Sequence, residues 1–164
     1  MRQIGTLFLA LLLVSPVAFA GNSPAPSAKS LLSRIAREGG RKVLWDLWEH
    51  ERDFGRMLAG VESGDDSWLQ VATALRPFAD GSASLSIDYA VALALPKAPN
   101  KVLALVGRGL DVDYICTSPF IEPDPGIAEA YEQQALTALS AVKAPALVPI
   151  AAECSKRIRL PDGA

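Results

Sequence analysis

Histidine and cysteine are nearly missing from this chain of 164 residues, which holds one of the first and two of the second. With His50 standing alone, a zinc site built on two or three histidines is excluded, and two cysteines cannot complete a structural site beside it. Glu51 follows His50, but no second histidine completes an HExxH pattern. No metal or other cofactor is expected. Basic clusters are equally scarce. Lys156, Arg157 and Arg159 form the only one, too short for the electrostatic footprint that displaces counterions from phosphates, so no nucleic-acid partner is expected. After residue 20 no apolar run approaches the roughly 20 residues needed to cross a bilayer.

The one long apolar run lies at the start. Arg2 supplies a positive charge, Leu7 to Val14 is unbroken, and Ala18, Phe19 and Ala20 place small residues at either side of a free position. That is the layout of a secretory signal peptide, expected to occupy residues 1–20 and to be removed before Gly21. The mature chain then carries 15 basic and 18 acidic residues, because Arg2 is the only charge in the segment, and its formal charge is −3. Residues 21–28, with Pro24 and Pro26 among small polar residues, read as a flexible mature terminus. Residues 29–160 read as a single helical domain, and 161–164 as a tail.

Export gives the cysteines a meaning, since a lone pair in an oxidising compartment is expected to bridge. Cys116 and Cys154 are therefore assigned one disulfide; their spacing fits neither zinc nor a CxxC redox motif. A periplasmic or secreted location follows.

The rest of the chain repeats its apolar residues with helical period and never alternates as a half-buried strand would. An all-α fold is expected, of about seven short helices in a compact orthogonal array or a small stack of helical hairpins. Ser27 is positioned to cap a first helix that Gly39 and Gly40 end. From Arg41 the stripe Val43, Leu44, Leu47, Phe54, Met57, Leu58 and Val61 fits one long helix or two broken near residue 50. Asp66 or Ser67 can cap the next, which Pro77 stops. Ser84 or Ser86 opens a helix from about Leu85 to Leu95, apolar on nearly every side and so expected to be central. Pro99 suits the start of a short helix, Asp111 or Asp113 caps a single turn reaching Cys116, and Ile127 and Pro145 or Pro149 introduce the last two. On the last, Cys154 shares the apolar face of Leu147, Ile150, Ala151 and Ile158.

Chemistry is sparse along this scaffold. His50 reads as a half-buried histidine bonded to Asp46 or to backbone, the other reading being a general base. Ser140 and Lys143 match S-x-x-K, but near a helix end and without the S-D-N and K-T-G elements that accompany it in penicillin-recognising enzymes. Among the carboxylates, Asp65, Asp66, Asp111 and Asp113 stand where helix caps belong, and Asp46, Glu49 and Asp53 share a solvated face; Glu51 completes the set from which a hydrolase could draw a pair. Trp48 and Trp68 fall on or beside core stripes. Trp45 sits roughly 130° from its helix's apolar stripe and is expected to be partly exposed. The loop Thr117 to Gly126 is stiffened by Pro119, Pro123 and Pro125. In it Phe120 and Ile121 either seal the core or present a recognition edge, with Glu122 and Asp124 adding polar contacts. The expected function is an exported protein that binds another macromolecule of the cell envelope, as inhibitor, immunity protein, adaptor or assembly factor, with Phe120, Ile121, Glu122, Asp124 and Trp45 as its contact residues. The competing expectation is a cell-wall hydrolase using carboxylates or His50.

Overall fold

The computed structural model describes residues 25–159; the expected signal segment 1–20 and tail 161–164 lie outside them. Among the described residues the chain has no strands and packs compactly as nine α-helices, seven of them seven residues or longer. Helix α1 (Ala28–Glu38) starts at the expected cap. The Ser30 amide donates to the Ser27 hydroxyl oxygen and the Ser27 amide to that of Ser30, a capping box closed by two serines. Gly39, at φ +86°, turns the chain into α2 (Gly40–Trp48).

The stripe from Arg41 is two helices, not one. His50 leaves helical geometry (φ −118°, ψ 76°), and α3 (Glu51–Glu62) begins after it. Gly64 then reverses the chain at φ +74°, where a Cβ would also stand 2.7 Å from that of Ala98; both conformation and space demand glycine. The cap of α4 (Asp66–Leu75) is Asp65 rather than Asp66 or Ser67, its carboxylate accepting from the Ser67 and Trp68 amides. Pro77 ends that helix in a 3-10 turn, Arg76–Phe78.

Helix α5 (Gly81–Ala94) begins at Gly81, earlier than a start near Leu85. Ser84 and Ser86 do not cap it: their hydroxyls donate backward to the Gly81 and Ser82 carbonyls, inside the helix. As its composition implied, α5 is central, packed against α3, α4, α6 (Pro99–Leu103) and α7 (Val112–Ile115). Ile87, Val91, Ala94 and Leu95 lose all exposure in a core completed by Leu31 of α1, Met57 and Val61 of α3, and Leu75 of α4. Each of these side chains larger than alanine contributes about 1.5–3 kcal/mol by leaving water.

The last two helices, α8 (Ile127–Ser140) and α9 (Val148–Ile158), pack on each other and join the rest through α7. Cys116, after α7, is bridged to Cys154 of α9 with Cα atoms 4.9 Å apart. A second tie forms at α5. The Ala92 carbonyl would ordinarily receive the amide four residues on, but that residue is Pro96, which has none. The buried Tyr131 hydroxyl of α8 donates to this carbonyl at 3.0 Å, beside the Leu95 amide. Burial raises the Tyr131 phenol well above its usual range, keeping the proton for that bond.

Candidate functional site

The loop between α7 and α8 is held from below. Asp111 caps α7 by accepting from the Asp113 amide, and the disulfide pins Cys116. Pro119 is buried, and Phe120 is half-buried with its ring edge-on to Tyr131 at 5.7 Å. The next residue faces the other way: Ile121 keeps 71% of its surface in water. The two readings of this apolar pair are therefore divided between its members, Phe120 sealing the core while Ile121 is presented. Glu122 follows in left-handed backbone geometry (φ +48°), which costs a non-glycine residue of order 1 kcal/mol. Glu122 and Asp124 are exposed, and neither side chain has a partner among the described residues. The Asp124 carbonyl accepts the Ile127 amide as α8 opens.

Trp45 lies elsewhere, in a groove of about 750 Å³ that none of these loop residues lines. On α2 the residues Val43, Leu44 and Leu47 turn inward and are buried. Arg41, Trp45 and Trp48, at i, i+4 and i+7, form a second stripe facing the groove. Trp45 is 65% exposed and Trp48 40%. Trp48 is thus no core residue; only its edge contact with the buried Phe54, at 5.3 Å, belongs to the interior. Trp68 is partly buried against Gly60, whose Cβ would fall 2.4 Å from the indole. The opposite wall of the groove is the 3-10 turn and the start of α5. There the Phe78 ring rests on Gly40, so closely that a Cβ on that glycine would meet it at 2.4 Å, while 40% of the ring stays exposed.

Most of the candidate acids and bases are engaged otherwise; the exceptions are Glu49 and Glu51, which are exposed, make no ion pair or side-chain hydrogen bond among the described residues, and line an open depression with Trp48 and Arg52. His50 is exposed rather than half-buried, and its Nδ1 lies 2.7 Å from the Asp46 carbonyl oxygen. Asp46 itself belongs to a surface network in which its carboxylate accepts from Arg34 at 2.6 Å and Lys42 at 3.3 Å, and both cations also reach Glu38. The Arg34 and Lys42 partners hold the Glu38 carboxyl down to about 2 and lower that of Asp46 as well. Asp66 pairs with Lys101 and Asp113 with Arg157. Ser140 donates its hydroxyl proton to the Thr137 carbonyl, and Lys143 donates to the Ser140 carbonyl rather than to its hydroxyl. Among the described residues no three His, Cys, Asp or Glu side chains gather as a metal site.

One interior charge pair was missed by sequence reasoning. Asp88, 3% exposed in the middle of α5, receives a two-pronged bond from Arg76: Nε donates to Oδ1 at 2.7 Å and Nη2 to Oδ2 at 2.9 Å. The Tyr114 ring lies over the guanidinium, 5.5 Å from its carbon. The visible signal was a single acid inside an otherwise apolar helix. The fork pairs both carboxylate oxygens with one guanidinium, so it holds the fold rather than a ligand.

No helix among the described residues is long and apolar enough to cross a membrane, and the one disulfide is formed. No family model matches the chain, and neither a curated protein nor a solved structure does.

Proposed function

We propose that this chain is exported to the periplasm or the exterior and there binds another macromolecule of the cell envelope, with the loop from Thr117 to Gly126 as its contact edge. The observation that supports this most is the orientation of Ile121. A chain that only needed to close its core would tuck both Phe120 and Ile121 inward. Here the first is fixed on Tyr131 and the second is held in water between three prolines, next to a residue in a strained conformation. A contact residue fixed before the partner arrives loses little entropy on binding. Glu122 and Asp124 add acceptors and a negative rim. The hydrolase reading has less behind it, because Asp65, Asp66, Asp111 and Asp113 serve as caps or ion-pair partners, His50 is turned to backbone, and the unpaired Glu49 and Glu51 stand exposed on an open depression rather than in an enclosed cleft.

A photoreactive residue at position 121, in the producing cell, tests the proposal. It should yield one discrete adduct that is absent when the same probe replaces exposed Gln133 on α8. Ile121→Ser should then weaken retention of that adduct's partner by tenfold or more while leaving the melting midpoint unchanged. Equal labelling from both positions, or an Ile121→Ser protein that retains the partner fully, rejects the loop as the contact edge. Mass spectrometry of the recovered protein checks the address: a terminus at Gly21 is expected, and an intact Met1 in a soluble cytoplasmic product defeats the export argument.

A further inference from the structure

The groove between α2 and the start of α5 gathers exposed aromatic surface that the loop proposal leaves unused. At roughly 200 Å² or a little more per aromatic side chain, the exposed fractions of Trp45, Trp48 and Phe78 amount to about 300 Å². A patch of this size is within the range of the largest apolar patch on a monomer, which is often functional, and aromatic side chains are enriched at interface cores. The charges around them say what covers them. Arg41, from α2, and Asp80, from the turn before α5, both line the groove and are both exposed. Neither makes an ion pair or a side-chain hydrogen bond among the described residues, and they do not reach each other. The other two charges that line the groove, Glu38 and Lys42, are paired with each other and with Arg34 and Asp46. A purely acidic or purely basic partner would satisfy one of the two free charges and oppose the other. A partner offering one cation and one anion beside an apolar centre satisfies both, and this groove is itself such a surface.

A twofold pair sets the same patch against itself, so that residue i of one copy meets residue j of the other and j meets i. We infer that the mature protein forms a twofold dimer through this groove, with Trp45, Trp48 and Phe78 buried at the centre, Arg41 of each copy facing the partner's Asp80, and the Ile121 loops left free. The aromatic side chains supply about 600 Å² over the two copies, so the rest of the groove must contribute to reach the roughly 1,000 Å² that a weak specific contact needs, and association in the micromolar range is expected.

Sedimentation velocity on the mature protein, from about 1 to about 200 μM, should show a monomer passing reversibly into a dimer. Trp45→Ala should weaken that association tenfold or more with no change in the melting midpoint, since the side chain lies mostly in water already. Arg41→Glu alone and Asp80→Arg alone should each weaken it similarly, because each sets like charges together twice across the axis. Mixing the two single variants is the decisive arm. In the mixed pair the charge reversed by Arg41→Glu on one copy meets the charge reversed by Asp80→Arg on the other, so opposite signs face each other again. The unaltered Asp80 and Arg41 make the second contact, and a dimer should return that neither variant forms alone. A wild type that stays monomeric throughout the range overturns the inference, and so does a dimer indifferent to Trp45→Ala. Singles that dimerise undiminished, or a mixture that fails to recover, reject the reciprocal pairing. None of these outcomes bears on the Ile121 loop, whose adduct is scored in monomeric variants as well.

Discussion

Replacing Asp88 by alanine should be among the most damaging single changes available in this fold. The carboxylate is almost wholly enclosed, with a side-chain exposure of 4%, and its partner Arg76 is 19% exposed. Removing the acid deletes two charge-assisted hydrogen bonds and leaves the guanidinium under Tyr114 with no counter-charge. Breaking a buried pair from one side costs about 3–5 kcal/mol, most of it the penalty of the charge left behind rather than the worth of the bond. For a domain of this size a urea slope near 2 kcal/mol/M is typical, so the midpoint should fall by about 2 M. Asp88→Asn, which keeps the shape and one acceptor, should fall between. The double change Arg76→Met with Asp88→Leu separates the two origins of the cost. It removes the pair and the orphan together, and should recover most of the loss, ending within about 2 kcal/mol of the parent. Equilibrium urea unfolding followed by tryptophan fluorescence reads all three. A shift below about 0.5 M for Asp88→Ala would refute the reasoning, because the guanidinium left behind keeps only 19% of its side chain in water and loses both of its charge-assisted bonds.

Three further outcomes follow from the same structure. Cys154→Ser opens a cross-link spanning 38 positions, which in the chain-entropy model is worth about 4 kcal/mol; differential scanning calorimetry should show a loss of about ten degrees or more, and native protein should resist thiol alkylation until it is reduced. Tyr131→Phe removes the hydroxyl that serves the Ala92 carbonyl opposite Pro96 and should cost about 1 kcal/mol in urea unfolding, with the contact to Phe120 retained. Glu38 has its folded carboxyl lowered to about 2 from an ordinary 4.5, so its contribution is complete above pH 4.5 and is lost as pH falls from there toward 2. Thermal melts across that window should show a decline that Glu38→Gln flattens, and added salt should shrink the difference because the network is exposed.

Much of the helical framework was legible because it is written in local signals. Ser27, Gly39, Pro77, Pro99 and Asp111 end or begin elements where such residues must, the apolar side chains of α8 repeat with helical period, and α5 is apolar on nearly every side as a central helix must be. What was left open or misplaced has separate causes. The break at His50, one of the two forms the stripe allowed, has neither proline nor glycine to announce it; α4 packs on both helices, but α2 also lies on α1 and α3 on α5. The start of α5 was read late because glycine is a poor helix former and serine a good cap, yet Ser84 and Ser86 satisfy their hydroxyls on backbone one turn back. Arg76 and Asp88 stand 12 residues apart across a turn, a separation no periodic pattern connects. The disulfide could be read because it needed only compartment chemistry and the inward face of Cys154.

The surfaces were harder to read than the framework for a reason intrinsic to binding. A catalytic centre is announced by residue type, since only a few side chains can move protons or hold metals. A binding surface is announced by an apolar side chain that is not covered, and cover is a property of the assembled chain. Period alone put Trp45 outside the core, because α2 already had a complete inward stripe. It could not do the same for Trp48, which stands at the edge of that stripe, meets Phe54 edge-on and still keeps 40% of its surface exposed. Phe78 follows a proline in a 3-10 turn, where no repeat exists to assign it a side; its position depends on the bare backbone of Gly40 against which it rests. The same holds for Phe120 and Ile121. Adjacent in an aperiodic loop, they are separated into one sealing and one exposed residue only by the ring of Tyr131 arriving from α8.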